Sequence, residues 1–123
     1  MNKPLNTTVE FEFFDGTKEK MTLFFYALYK LKNKKPELYK RYNEVMAKQK
    51  KGRYDDLEMI TILYTAYACA NVDKELMSEE EFMYKCGADR NQVANTVNEL
   101  LTPKKHRVSE KRFENERKNG NNA

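Results

Sequence analysis

The amino-acid sequence predicts a mainly α-helical fold of the α+β class, in which an N-terminal β-hairpin is followed by about five helices packed around a central buried helix. The central helix is predicted over residues 55–71, because DDLEMITILYTAYACAN is apolar on almost every side. Its polar interruptions are Glu58, Thr61 and Thr65, whose spacing places them on one narrow strip. Alternating apolar residues near the N-terminus predict the hairpin, and four more segments with helical periodicity lie between capping signals.

The hairpin is predicted over residues 7–22, where TVEFEFF alternates apolar and polar residues before an Asp-Gly turn signal. A three-residue loop would pair Glu12 with Lys18, whereas a two-residue turn would bring Glu12 opposite Glu19. Opposite charges across a strand pair are favourable, so we expect the three-residue loop. This loop would place Gly16 in the left-handed conformation.

The four surrounding helices are predicted from an apolar stripe between a start signal and a stop signal. The predicted start signals are Thr22, Pro36, Ser78 and Asp89. The predicted stop signals are the NKK before Pro36, Gly52, Gly87 and Pro103. In the first of these helices, Phe25, Leu28 and Leu31, with neighbouring Phe24, are expected to form the apolar stripe. In the second, the residues expected to face inward are Leu38, Tyr42, Val45 and Met46. In the central helix, Asp55 and Glu58 are expected to form a capping box.

Composition predicts one domain, residues 1–103, followed by a flexible basic tail, residues 104–123. The chain has 123 residues and a net charge of +4, and the tail holds seven basic and three acidic residues. Its large apolar residues are Val108 and Phe113, too few to offset the entropy of ordering it. The N-terminus lacks an apolar stretch and the central helix is too short to cross a bilayer, so we expect a soluble, intracellular protein without a membrane partner.

The sequence offers no set of residues for catalysis. The single histidine, His106, lies in the tail, so there is no His-based triad and no two-His metal site. The two cysteines, Cys69 and Cys86, lack metal-binding spacing and are expected to be reduced core thiols. The four glycines do not cluster into a phosphate loop. We therefore expect a protein that is not an enzyme and needs no cofactor or metal.

Tyrosine spacing provides the first candidate binding surface. Six of the eight tyrosines fall in pairs three residues apart: Tyr26 and Tyr29, Tyr39 and Tyr42, Tyr64 and Tyr67. Residues three apart share a helical face, so each pair makes an aromatic ridge at the edge of the core or at a partner surface. Methionines could make such a surface adaptable. The predicted partner-binding residues are Tyr26, Tyr29, Tyr39, Tyr42 and Met46.

Charge patterning provides the second candidate surface. Residues 30–53 hold ten basic and two acidic residues, whereas residues 55–99 hold three basic and ten acidic residues. Opposed blocks of this size suit pairing within one molecule or head-to-tail self-association into a homo-oligomer. The residues predicted to take part are Lys34, Lys35, Lys40, Arg41, Glu79, Glu80 and Glu81.

An alternative function is that of a DNA-binding regulator with a helix-turn-helix over residues 79–101. In that case Arg90, Asn91, Gln92 and Asn95 would read base edges from the second helix. Two features oppose this interpretation. Met83 stands where the two helices need a small residue, and the acidic residues 79–81 would face the phosphates. Nucleic acid is therefore not the expected partner.

Four segments of the sequence together resemble a known protein family. The segments LFFYALYKLKNKKPELYKRYNEVM, ITILYTAYACANVD, MSEEEF and LLTPKK resemble the small tail assembly chaperones of long-tailed bacteriophages and prophages, of the Gram-positive type. The resemblance covers residues 9–105. It rests on pattern, since it includes no catalytic motif.

The resemblance implies a protein of the host bacterial cytoplasm that binds and solubilises the tape measure protein. It also implies that the protein assists polymerisation of tail tube subunits and is not retained in the mature virion. Further implied partners are the tail tube protein and a frameshifted long form of the same chaperone. On this view the tyrosines and methionines would contact the client, and the opposed charge blocks would contact successive copies.

Overall fold

A computed structural model describes residues 8–48 and 54–102. In these residues a two-stranded antiparallel hairpin precedes five helices, which confirms the predicted fold class. The elements are β1 Thr8–Glu12, β2 Lys18–Thr22, α1 Phe25–Lys34, α2 Pro36–Ala47, α3 Asp56–Ala70, α4 Glu79–Cys86 and α5 Arg90–Leu101. The predicted stop signals Gly52 and Pro103, and the predicted tail, lie outside the described residues.

The hairpin has the predicted register. Glu12 lies opposite Lys18, and Glu10 lies opposite Lys20. Gly16 has a φ of 90°, the left-handed conformation expected for it. The apolar side chains of the hairpin face the helices, and Phe11, Phe13 and Met21 are almost completely buried. Residues of opposite charge therefore lie across from each other on the solvent face, while the other face joins the core.

The core is built around α3. All eight residues from Ile62 to Cys69 are buried, because β2, α1, α2, α4 and α5 all contact this helix. Phe82 of α4 is fully buried, and its ring lies 5.6 Å from Phe13, 5.2 Å from Tyr64 and 5.3 Å from Tyr67. This aromatic cluster joins the hairpin, α3 and α4 into one core.

Helix caps explain most of the element boundaries. Asp55 and Glu58 form the expected capping box, each side chain accepting a hydrogen bond from the other residue's backbone N–H. Ser78 and Asp89 act as N-caps of α4 and α5, as their positions in the sequence predict. The first helix is different. Thr22 still belongs to β2, and the N-cap of α1 is Phe24, so the predicted cap is wrong.

The prediction that Phe25 faces the core is also wrong, because its side chain is 88% exposed. The buried stripe of α1 runs through Phe24, Ala27, Leu28 and Leu31, which are spaced at i, i+3, i+4 and i+7. Phe25 is one residue off this stripe, a rotation of about 100° around the helix axis. Its ring therefore points into solvent.

Among the helices in the described part of the chain, none combines the length and apolar character that a membrane crossing requires.

We expect Phe82→Ala to destabilise the fold by about 3–5 kcal/mol, because it leaves a cavity among three aromatic rings. The matched control is Tyr84→Ala on the same helix, where the side chain is exposed and the loss should stay below about 1 kcal/mol. Urea denaturation of both variants measures the free energies of unfolding. Equal losses in the two variants would show that Phe82 is not in the core.

Burial also predicts unreactive thiols. Loss of hydration raises the pKa of Cys69 and of Cys86 to about 12, so both remain protonated in neutral solution. We expect slow maleimide labelling of the native protein at pH 8 and rapid labelling once guanidinium chloride is added. Cys69→Ala and Cys86→Ala assign each reaction to its thiol. Rapid labelling of either thiol in the native protein would contradict its burial.

Candidate partner-binding surfaces

Two exposed apolar patches stand out among the described residues. The first, which we name the aromatic ridge, consists of Phe25, Tyr26 and Tyr29 on α1, and all three side chains are more than half exposed. The rings of Tyr26 and Tyr29 stack with centroids 6.2 Å apart. Two of the predicted partner-binding tyrosines therefore lie on a free surface, and Phe25 extends it.

The second patch, which we name the apolar groove, lies where the first two turns of α3 meet the end of α4 and the start of α5. It encloses about 240 Å³. Its apolar lining consists of Leu57, Met59, Ile60, Met83, Cys86, Ala88 and Val93. Leu57 is 64% exposed and Met83 is also exposed, so part of the rim is apolar, while Asp56, Asp89 and Arg90 add charged groups to it. A groove of this kind accepts the apolar face of a helix.

The hairpin loop extends the apolar rim. Phe14 N–H donates a hydrogen bond to the carbonyl of Lys85, and the Lys85 ammonium pairs with Asp15 at 3.5 Å. The exposed ring of Phe14 packs edge-on against Tyr84, also exposed, with centroids 5.5 Å apart. Phe14 also lies against Gly87, where an added Cβ would be 3.4 Å from its side chain. Backbone and charge contacts thus hold two exposed aromatic rings beside the groove.

The other predicted partner-binding residues lie within or against the core. Tyr42 is only 7% exposed, and burial raises its pKa to about 12. Tyr39 and Met46 are half-buried, and the Tyr54 hydroxyl donates to the Met46 sulfur at 3.5 Å. These three side chains pack against the core, unlike those of the aromatic ridge.

The Tyr64 and Tyr67 pair is also buried, and both hydroxyls bond to the backbone of Met77. The Tyr64 hydroxyl donates to the carbonyl at 2.8 Å, and the Tyr67 hydroxyl accepts from the N–H at 2.9 Å. One tyrosine pair out of three is therefore an exposed ridge. The spacing of three residues places each pair on one helical face but does not indicate which face is covered.

Several residues of the predicted charge blocks pair within the molecule. The Arg41 guanidinium binds both carboxylate oxygens of Glu79, at 2.6 and 3.2 Å, and this hydrogen bonding raises the pKa of Arg41. Lys34 and Lys30 each lie 3.1 Å from Asp73, and their hydrogen bonds lower the pKa of that carboxyl group. Lys35, Lys40, Glu80 and Glu81 are exposed. The charge blocks suit either pairing within one molecule or association between copies, and these ion pairs form within one molecule.

Two of the residues proposed to read DNA contact neighbouring elements. Arg90 pairs with Asp56 of α3, and the Gln92 side-chain amide donates to the Glu12 carbonyl at 2.8 Å. Asn91 and Asn95 are exposed. Reading a base edge with Arg90 or Gln92 would therefore require breaking contacts that position α5 against the rest of the core.

Within residues 8–48 and 54–102, no group of three or more histidine, cysteine or acidic residues is arranged to hold a metal ion. Comparison of the chain with protein-family models, with curated proteins and with solved structures finds no match. The chemistry of the aromatic ridge and the apolar groove is therefore the structural information that bears on function.

Leu57, like Phe14 and Tyr84, is an exposed apolar residue that the sequence does not identify as a binding residue. The apolar pattern of α3 predicts a helix buried all round, although Leu57 stands among Asp55, Asp56 and Glu58 in the first turn. Carboxylates must stay hydrated unless they are paired, so a leucine in their midst is hard to cover. That local composition is the available signal for an exposed apolar site.

The difference in burial between Tyr42 and Tyr29 can be tested by substituting each of them. We expect Tyr42→Ser to destabilise the fold by about 3 kcal/mol or more, because it removes a buried ring from the core. Tyr29→Ser, its matched control on the exposed ridge, should change the free energy of unfolding by less than about 1 kcal/mol. Thermal and urea unfolding measure both values. A Tyr42→Ser protein as stable as the control would return Tyr42 to the list of surface residues.

Proposed function

We propose that the protein is a non-enzymatic phage tail assembly chaperone that binds and solubilises the tape measure protein in the host bacterial cytoplasm. In this role it assists tail tube polymerisation and is not retained in the mature virion. A frameshifted long form and the tail tube protein are its further proposed partners. The sequence resemblance supplies the client, and the structure supplies a surface on which such a client can lie.

The observation that carries the proposal is the apolar groove and its rim. Leu57, Met83, Phe14 and Tyr84 expose large apolar side chains next to one concave surface. A tape measure protein is long, helical and apolar, and a helix presents apolar side chains at spacings of three and four residues. Such a helix can place one or two anchor residues in the groove and lie along the rim.

Methionine side chains suit this task. Met59 and Met83 line the groove, and their flexible thioethers can adjust to anchors of different shape. A chaperone that coats a long client must bind many different segments with the same surface. Adaptable packing therefore matters more here than a single complementary fit.

The proposal is tested by co-expressing the chain with a tape measure protein, its proposed client. We expect the wild-type protein to raise the soluble yield of the client. Leu57→Asp should remove most of this effect, because it would bury a carboxylate against an apolar client and weaken binding on the order of tenfold or more.

The matched control for Leu57→Asp is Asn98→Asp, which adds the same negative charge at an exposed position of α5. It should solubilise the client as the wild-type protein does. A client that stays insoluble with the wild-type protein would count against the chaperone function. Equal activity of Leu57→Asp and the control would exclude the groove as the client site.

A further inference from the structure

The aromatic ridge and the apolar groove lie at opposite ends of α3. Tyr26 of the ridge shares a surface depression with Cys69 and Ala70 at the C-terminal end of that helix. The groove is lined by residues 56–60 at the N-terminal end. Because α3 has 15 residues, its length is about 22 Å. One molecule therefore cannot place its own ridge in its own groove.

The two surfaces have complementary shapes. The ridge is convex, and Phe25 and Tyr29 stand one helical turn apart on its outer side. The groove is concave and has an apolar lining with two methionines. A helix that presents two aromatic rings one turn apart is the kind of ligand that such a groove binds. The chain itself therefore carries a ligand suited to its own groove.

The charges beside the two surfaces are also complementary. Helix α1, which carries the ridge, contains Lys30, Lys32 and Lys34 and no acidic residue. Lys30 and Lys34 share one partner, Asp73, so a net positive charge remains on this helix. Three acidic residues stand at the start of α3, and Asp89 lines the groove with Asp56. Arg90 offsets one of these acids by pairing with Asp56, and Lys48 lies 3.4 Å from Glu58. The remaining charge at the groove is negative and favours a basic helix over an acidic one.

We propose that the aromatic ridge of one copy occupies the apolar groove of a second copy until a client displaces it. The contact joins two different surfaces, so each copy can bind one neighbour through its ridge and another through its groove. Assembly then grows with concentration into chains or rings. Displacement by the client rests on the proposed function, whereas the contact between copies does not.

Shared use of the groove has a direct consequence. The ridge and the client compete for the same site, so self-association lowers the apparent affinity for the client. Binding of the client in turn dissociates the assembly. In the absence of client, the assembly covers apolar surface that would otherwise face water.

Two single substitutions test the contact, one on each surface. Phe25→Asp damages the ridge and leaves the groove intact, and Leu57→Asp does the reverse. Both side chains are exposed, so both variants should fold. By sedimentation velocity without any client, the wild-type protein should assemble with concentration, and each variant should bind its own copies about tenfold or more weaker. The matched controls, Asn43→Asp on α2 and Asn98→Asp on α5, should assemble as the wild-type protein does.

Mixing the two variants gives the decisive result. The Leu57→Asp copy offers an intact ridge, the Phe25→Asp copy offers an intact groove, and together they should form dimers that grow no further. A monomeric wild-type protein, a single variant that assembles normally, or a mixture without dimers would each overturn the contact. If either aspartate variant fails to unfold cooperatively, Tyr29→Ser and Met83→Ser replace it on the same surface.

Client binding separates the two halves of the proposal. Phe25→Asp should solubilise the co-expressed tape measure protein at least as well as the wild-type protein, because its groove is never occupied by a ridge. Leu57→Asp should fail. Loss of client binding in Phe25→Asp would show that the ridge itself holds the client and would overturn the displacement. A wild-type protein without effect on the client would refute the chaperone function and leave the mixing result unaffected.

Discussion

Covering residues 62–69 of α3 on every side is the constraint on which the rest of the fold depends. A helix that is apolar all round must be surrounded, because each exposed apolar side would lose the stabilisation that burial provides. Strand β2 and four helices contact α3, and Phe82 closes the aromatic cluster between the hairpin and α4. A chain of this length has few other elements available. Most of its elements therefore pack against this one helix.

The same constraint explains where enclosure stops. The first turn of α3 contains the capping box of Asp55 and Glu58, together with Asp56. Burying three carboxylates would cost far more than covering one leucine would contribute. The surrounding elements therefore leave this end of the helix in solvent, and Leu57 stays exposed with it. The apolar groove is thus the uncovered end of an otherwise enclosed helix, and its acidic rim has the same origin.

The sequence predicts the elements of this fold better than it predicts its surfaces. The hairpin register followed from pairing Glu12 with Lys18, and the capping box followed from two residues three apart, because both depend on neighbours along the chain. Phe25 is predicted to face the core and is exposed, whereas Tyr42, predicted both to face inward and to bind a partner, is buried. Their exposure depends on which neighbouring element covers a helix face, and periodicity does not contain that information. The groove is formed by three separate helices, so a local pattern could not have indicated it.

Because many charged side chains pair within one molecule, association with other copies or with a client depends mainly on apolar contacts. Arg41 with Glu79, and Lys30 with Asp73, bring opposed charge blocks together inside one copy, at the cost of their availability to a second copy. Exposed ion pairs contribute little and are weakened by salt. The large apolar side chains of the ridge and groove lose nothing to salt when they are buried. Contacts made through them should therefore persist at high ionic strength, with charge affecting mainly the orientation and rate of approach.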